Sequence, residues 1–303
     1  MRRLFPLLTL ALVAAVVANV DIRAAATFFR RAPMAPLITA YLLYIASFAA
    51  RALRWLVLIE GEGFFKLFRV VAIHTLSNNV YPARTGELSF IYLLKHHPSG
   101  RLSYILLSAR VADMLCIGAF FGVSVLHVGK SKSLLAPAAA ALLVCLLFTA
   151  AVVYAALKAP ADRLPPKVSG FLEDFKASYS NLRGKFPQLF ATSLMVWTAK
   201  YVSFFFLTNA VLETMGRRVD FWSSVFGVSF SELTTVLPIH SIGGFGTFEA
   251  GWAGAYMLLG FPREEAVTSG LLFHVSLLSF CLLTGLPFLL LHHKVNEKLN
   301  GGG

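Results

Sequence analysis

Charge is scarce in this chain. Asp, Glu, Lys and Arg make up 14% of its 303 residues, whereas an ordinary soluble domain carries about a quarter. With 57% apolar residues and a mean hydropathy of +0.70, that shortage excludes a soluble globular domain and places the chain in a bilayer. Acidic residues are scarcer still, 15 against 27 Lys and Arg, for a formal charge of +12. The surplus cations lie in short loops between apolar runs and form no long basic stripe, so they read as topology signals and no nucleic-acid partner is expected. Cysteine is nearly absent. Cys116, Cys145 and Cys281 each sit in apolar sequence without CxxC spacing, which leaves no disulfide framework and no zinc motif. Neither a metal nor a cofactor is expected.

What is present is a series of apolar runs, at about 4 to 20, 34 to 57, 102 to 128, 133 to 157, 188 to 212 and 265 to 291. Each is near the ~20 helical residues that cross a bilayer. None alternates apolar with polar residues as barrel strands do, so the expected fold is all-α. The run after Met1-Arg2-Arg3 reads as a retained first helix rather than a signal peptide, despite the weak cleavage site at Ala24-Ala25-Ala26. Residues 292–303 read as a cytoplasmic tail ending in a linker, Gly301-Gly302-Gly303.

Two shorter apolar regions, 66 to 95 and 219 to 260, are interrupted by polar sequence. The first break is Asn78-Asn79-Val80-Tyr81-Pro82-Ala83-Arg84-Thr85-Gly86-Glu87; the second runs from Val236-Leu237-Pro238 through His240, Gly243-Gly244 and Gly246 to Glu249. A broken helix in hydrocarbon exposes backbone groups, which is tolerated where protein or a water-filled cavity surrounds them. Each region is therefore read as a pair of half-helices. If the first returns to its own side, with a cytoplasmic N-terminus, sixteen Lys and Arg lie inside and eight outside, counting Arg51 and Arg54 as cytoplasmic. A single crossing gives eleven and thirteen, so the positive-inside rule favours the re-entrant form. The count does not distinguish re-entrance from two short spans for 219 to 260. The chain then reads as one transmembrane domain, 1–291, with about six full spans, two re-entrant or broken hairpins and inverted repeats at 1–128 and 133–291. Val80-Tyr81-Pro82 echoes Val236-Leu237-Pro238, and Glu87 precedes Arg110 much as Glu249 precedes His274.

The candidate substrate-binding residues are Asn78, Asn79, Arg84, Glu87, Arg110, Asp113, Lys200, His240, Glu249 and His274. Arg84 and Glu87 are three apart and could form an ion pair at the hairpin tip, either neutralising each other or serving a ligand. Arg110 and Asp113, also three apart, can pair as a clamp or give one charge each to a cavity. Lys200 has no acidic neighbour at helical spacing, so it must find a partner elsewhere or snorkel. Glu249 follows glycines that allow close backbone approach, without the ending of a P-loop. It could balance Arg84, Arg110 or Lys200, or titrate during transport. His240 and His274 are the histidines with a plausible charged neighbourhood, though satisfied core histidines describe them as well. For His96-His97 and His292-His293, headgroup contact is a simpler reading than metal binding. The stretch 160 to 187 resembles an interfacial amphipathic helix.

These motifs resemble those of the transmembrane-domain family of lysylphosphatidylglycerol synthases, also described as flippase-like integral membrane proteins. The likeness runs from about residue 5 to 291 and is carried by Asn78-Asn79, Pro82, Arg84, Gly86 and Glu87, by Arg110 with Asp113, and by Pro238, Gly243-Gly244, Gly246 and Glu249. Many family members have a Pro before the paired glycines and an Arg before the glutamate; this chain has Ile242 and Phe248. The resemblance implies movement of a charged or glycosylated lipid between leaflets. The name-giving enzymes join this membrane part to a soluble aminoacyl transferase domain; no counterpart of that domain, and so no lysyl transfer, is expected. The expectation is a bacterial-type inner-membrane protein with cytoplasmic termini, possible as a homo-oligomer, whose partner is a phosphate-bearing lipid such as a polyprenyl-phosphate-linked sugar or a phospholipid. Its rivals are a transporter of a small anionic solute and an intramembrane transferase acting on a lipid-linked donor.

Overall fold

The computed structural model describes residues 21–81, 86–129, 135–235 and 242–300. They form eleven α-helices: α1 Ile22–Arg31, α2 Met34–Leu58, α3 Phe64–Val80, α4 Glu87–Leu93, α5 Ser99–Val128, α6 Leu135–Lys158, α7 Pro166–Leu182, α8 Phe186–Glu213, α9 Phe221–Thr235, α10 Thr247–Leu258 and α11 Arg263–Asn300. No strand occurs among the described residues.

Among the described residues, four helical stretches are long and apolar enough to cross a membrane: Met34–Leu58, Ser99–Val128, Pro166–Glu213, which holds α7 and α8, and Arg263–Leu291. The expected run at 4 to 20 lies outside the described residues, and that at 133 to 157 corresponds to α6. Along α6, Leu143, Leu147 and Phe148 are exposed, the disposition of a helix that meets lipid.

Helices α2 and α8 form the central antiparallel pair. Ser203 donates to the Ala40 carbonyl (2.7 Å) near one end, and the Lys185 ammonium reaches the Val57 carbonyl (3.2 Å) near the other. Around this pair α3 lies antiparallel to α11, with Phe68 against Phe288 and Leu76 against Gly285. Correspondingly, α5 lies antiparallel to α9, with Phe121 stacked on Phe226 (5.9 Å) and His127 facing Asp220 (3.3 Å). The core is aromatic. Tyr44, Phe48, Trp55, Tyr201, Phe204, Trp252 and Phe273 are all buried within it.

The two interrupted regions fold as hairpins. Helix α3 has 17 residues and α4 only 7, about 25 and 10 Å at ~1.5 Å per residue. The chain comes back to its starting point, since Glu62 before α3 touches His96 (2.5 Å) and His97 (2.9 Å) after α4. The second hairpin, α9 and α10, is closed in the same way by Arg217 and Glu265 (3.0 Å). The two hairpins open at opposite ends of the fold. The first opens where Leu58, Arg101 and Lys185 gather, and the second where Asp21, His127, Asp220 and Thr268 gather.

Arg51 and Arg54 correct the topology count. They lie inside α2, and the Arg54 guanidinium is almost fully buried, so neither belongs to a loop. The reason is periodic: Tyr44, Phe48, Arg51 and Trp55 share one helix face, and that face packs inward. Without them fourteen cations remain on the inner side against eight, so the preference for a returning hairpin stands.

Candidate functional site

The two breaks meet. The 3₁₀ turn Ile242–Gly244 packs on α3, where Gly243 approaches the Asn79 carbonyl. The paired glycines make this possible, because Gly243, Gly244 and Gly246 have φ of 66°, 76° and 87°, a region that L side chains rarely adopt. Below the meeting point is a cavity of about 130 Å³. Its polar wall is Arg51 of α2, His74, Asn78 and Asn79 of α3, Arg110 of α5, Lys200 of α8 and Glu232 of α9; Phe204, Phe248 and Leu277 form its apolar side.

Most of the buried charge is paired, as charge in a low-dielectric interior must be. Asp113 receives the Arg54 guanidinium at 2.7 Å, and Ser193 shares that nitrogen at 3.0 Å. Arg110 closes on Glu87, the first residue of α4. Lys200 donates to Glu232 at 3.1 Å and lies over the Trp197 ring at 4.0 Å. Glu249, 1% exposed, accepts from His274 Nδ1 at 2.7 Å and from the Gly246 amide at 2.6 Å. Glu87 and Glu249 thus both stand in the first turn of a half-helix, where an N-terminal dipole favours a carboxylate.

Arg51 is different. One of its Nη groups donates to Thr75 Oγ1 at 3.0 Å, and its Nε is buried without an acceptor among the described residues. No carboxylate among the described residues lies within ion-pair distance of it.

The helical spacing of Arg110 and Asp113 suggests that they could pair, but the structure gives each a different partner, because Glu87 and Arg54 approach from other helices. Glu249 is held by His274 rather than by Arg110 or Lys200. Arg84 and His240, with Pro82 and Pro238, lie outside the described residues. Asn79 turns its amide onto the Thr75 carbonyl (2.8 Å), while Asn78 donates towards His74 (3.1 Å) and Glu87 (3.4 Å).

Sequence reasoning misses Arg51, Arg54, His74 and Glu232. The signal for Arg51 is its place on the Tyr44, Phe48, Trp55 face, and for Arg54 its place on the side of Ser47 and Leu58, both buried. Glu232 is betrayed by its position in the apolar run of α9, at the depth of Lys200. His74 is buried beside the first break, a charged neighbourhood expected only of His240 and His274.

A second polar cluster stands at the open end of the first hairpin. Glu62 binds His96, His97 and Lys66 there, and its side chain is 4% exposed. Burial alone would raise its pKa, but the hydrogen bonds from Lys66, His96 and His97 outweigh burial and hold the carboxyl down at about 2. Both histidine rings turn to Glu62, a partner that the headgroup reading does not include. Among the described residues, Glu62, His96 and His97 form a group whose ligand atoms could converge on a metal ion.

Helices that cross a bilayer, two broken hairpins and a charged cavity between them define a multi-pass membrane protein. The chain belongs to the lysylphosphatidylglycerol synthase transmembrane-region family, whose model matches residues 4–285. The family carries a membrane lipid-related function. Neither a curated protein nor a solved structure matches the chain.

Proposed function

We propose that this protein moves an anionic, phosphate-bearing lipid between the leaflets of a bacterial-type plasma membrane, and that Arg51 is the first ligand for the phosphate. The observation that carries this reading is the Arg51 guanidinium, set in the cavity wall with no carboxylate at ion-pair distance among the described residues. A charged side chain at mid-membrane costs at least ~2.5 to 3.5 kcal/mol and is characteristically retained for function. A guanidinium offers five N–H donors in a planar fork that matches phosphate oxygens. The neighbouring pairs, Arg110 with Glu87 and Lys200 with Glu232, let a phosphate exchange places with a carboxylate without leaving a cation bare. The cavity of about 130 Å³ suits a headgroup phosphate, with the acyl or prenyl chains outside it.

The same reading takes the chain as one domain with six full crossings, two re-entrant hairpins, inverted repeats at 1–128 and 133–291, and cytoplasmic termini. Several contacts support the repeat. Glu87 meets Arg110 after 23 residues and Glu249 meets His274 after 25. Helix α3 packs on α11 as α9 packs on α5, so each unit lends its first half-helix to the other. Inverted units with discontinuous helices place a substrate site at their interface.

Titrating the detergent-solubilised protein with short-chain phosphatidic acid and with short-chain phosphatidylcholine tests the site. The anionic lipid is expected to bind more tightly, and Arg51→Ala should remove that preference. Loss of a charge-assisted hydrogen bond, worth about 1.5 to 3 kcal/mol, corresponds to roughly ten- to a hundredfold in affinity. Equal affinity for both lipids in the unaltered protein would contradict the assignment.

A further inference from the structure

We propose that Glu62, His96 and His97 form a binding site for a divalent transition-metal ion, zinc foremost, that clasps the open end of the first hairpin. Three donors from two turns meet there. Glu62 lies in the turn between α2 and α3, while both histidines lie in the turn between α4 and α5, more than thirty positions away in sequence. Adjacent residues on a helix diverge by about 100°, so two consecutive histidines face one point only because the chain turns between Leu94 and His97. Their rings lie 4.4 Å apart, and both Nε2 atoms are directed at Glu62 Oε1, at 2.5 and 2.9 Å.

The spacing fits a metal polyhedron. Zinc bonds of about 2.0 to 2.1 Å to nitrogen and oxygen set neighbouring donors ~3.3 Å apart in a tetrahedron. All three donor atoms already lie within 4.8 Å of one another. Small rotations of two imidazoles open the group enough to admit an ion. Two imidazoles and a carboxylate suit zinc, copper, iron or nickel and are too nitrogen-rich for calcium or magnesium. With three protein ligands, the fourth position of the ion is left to water.

A cation already sits at this point. The Lys66 ammonium lies 2.9 Å from Glu62 Oε2 and 3.3 Å from His96 Nε2, where it neutralises the buried carboxylate. Its side chain is 41% exposed, free to swing into water when an ion takes over the charge. Lys66 is thus the intrinsic competitor of the metal. Because the site joins the turn that enters the hairpin to the turn that leaves it, a bound ion fastens α3 and α4 at their base and leaves the break at their tip untouched.

The test uses the full chain, purified without a histidine tag, stripped with chelator and titrated with Zn²⁺ against a chromophoric indicator; Co²⁺ absorption in the visible reports the ligand set. One equivalent of Zn²⁺ is expected to bind. Glu62→Gln and His97→Ala should each weaken it at least tenfold, whereas Lys66→Met should tighten it by removing the competitor. His96→Ala alters a half-exposed ring, so it keeps the fold and should show the same loss even if the more buried variants do not fold. Absence of stoichiometric binding by the unaltered protein would overturn the proposal, and so would binding that His96→Ala leaves unchanged in affinity and cobalt spectrum.

Discussion

At the scale of single residues, the site is governed by which buried charges have partners. Arg54 and Asp113 are 3% and 10% exposed at the side chain and face each other at 2.7 Å. Removing one member leaves the other charge buried alone, which costs about 3 to 5 kcal/mol. Asp113→Ala should therefore lower stability by that amount in a denaturant titration of the solubilised protein. The double variant Arg54→Met with Asp113→Leu should recover most of the loss. If the single variant is as stable as the unaltered protein, the pair is not the buried clamp described here. Sequence reasoning finds Asp113 but not its partner, because helical spacing offers Arg110 first. An ion pair between helices is set by packing, and no spacing rule reports that α2 brings Arg54 to α5. Phe248 adds a further residue-scale point. It stacks its ring on His274 at 4.5 Å and so puts an aromatic face on that wall of the cavity.

Helices and hairpins show how the interruptions are accommodated. Gly86 lets α4 start against α3, because a Cβ there would strike the backbone of Ser77 and Asn78. Gly285 plays the same part between α11 and α3: a Cβ would lie 2.7 Å from Leu76 Cβ and 2.9 Å from the Ala72 carbonyl. Overpacking of this kind costs about 1 to 3 kcal/mol. Gly285→Val should therefore lower the unfolding midpoint, and Gly122→Ala, at a helix position where nothing lies within 4 Å of an added Cβ, should not. Equal midpoints for the two would show that α3 and α11 do not approach so closely. The hairpins themselves are legible in the sequence, since Pro, Gly and a carboxylate together in apolar surroundings announce a break with a charged tip. Their closure is not. Glu62, His96-His97 and Arg217 are polar residues in turns and Glu265 stands in the first turn of α11, and nothing in their spacing says that they meet.

At the level of the whole molecule, the arrangement has a simple physical basis. The four half-helices of the two hairpins, each too short to cross ~30 Å of hydrocarbon, pack among longer helices that do, an arrangement in which protein can surround a broken helix. Because the hairpins open at opposite ends of the fold, cysteines placed at Glu60 and at Arg218, in a chain whose three native cysteines are replaced, should react with a membrane-impermeant maleimide from opposite sides of sealed vesicles. Reaction of both from one side would refute the inverted arrangement. The apolar runs predict an all-α, multi-pass membrane protein from sequence, and the family match over residues 4–285 agrees with that. The cavity beside the two hairpins depends on long-range packing that no single run encodes.

Passage of a phosphate-bearing lipid through the cavity, as proposed, is tested by leaflet exchange in reconstituted vesicles, following labelled polyprenyl-phosphate sugars and ordinary phospholipids, with the unaltered protein beside Arg51→Ala. Exchange of a phosphate-bearing lipid that depends on the protein and falls at least tenfold in the variant is the predicted result. Folded protein that exchanges no lipid, or an Arg51→Ala variant that exchanges lipid at the unaltered rate, would contradict it.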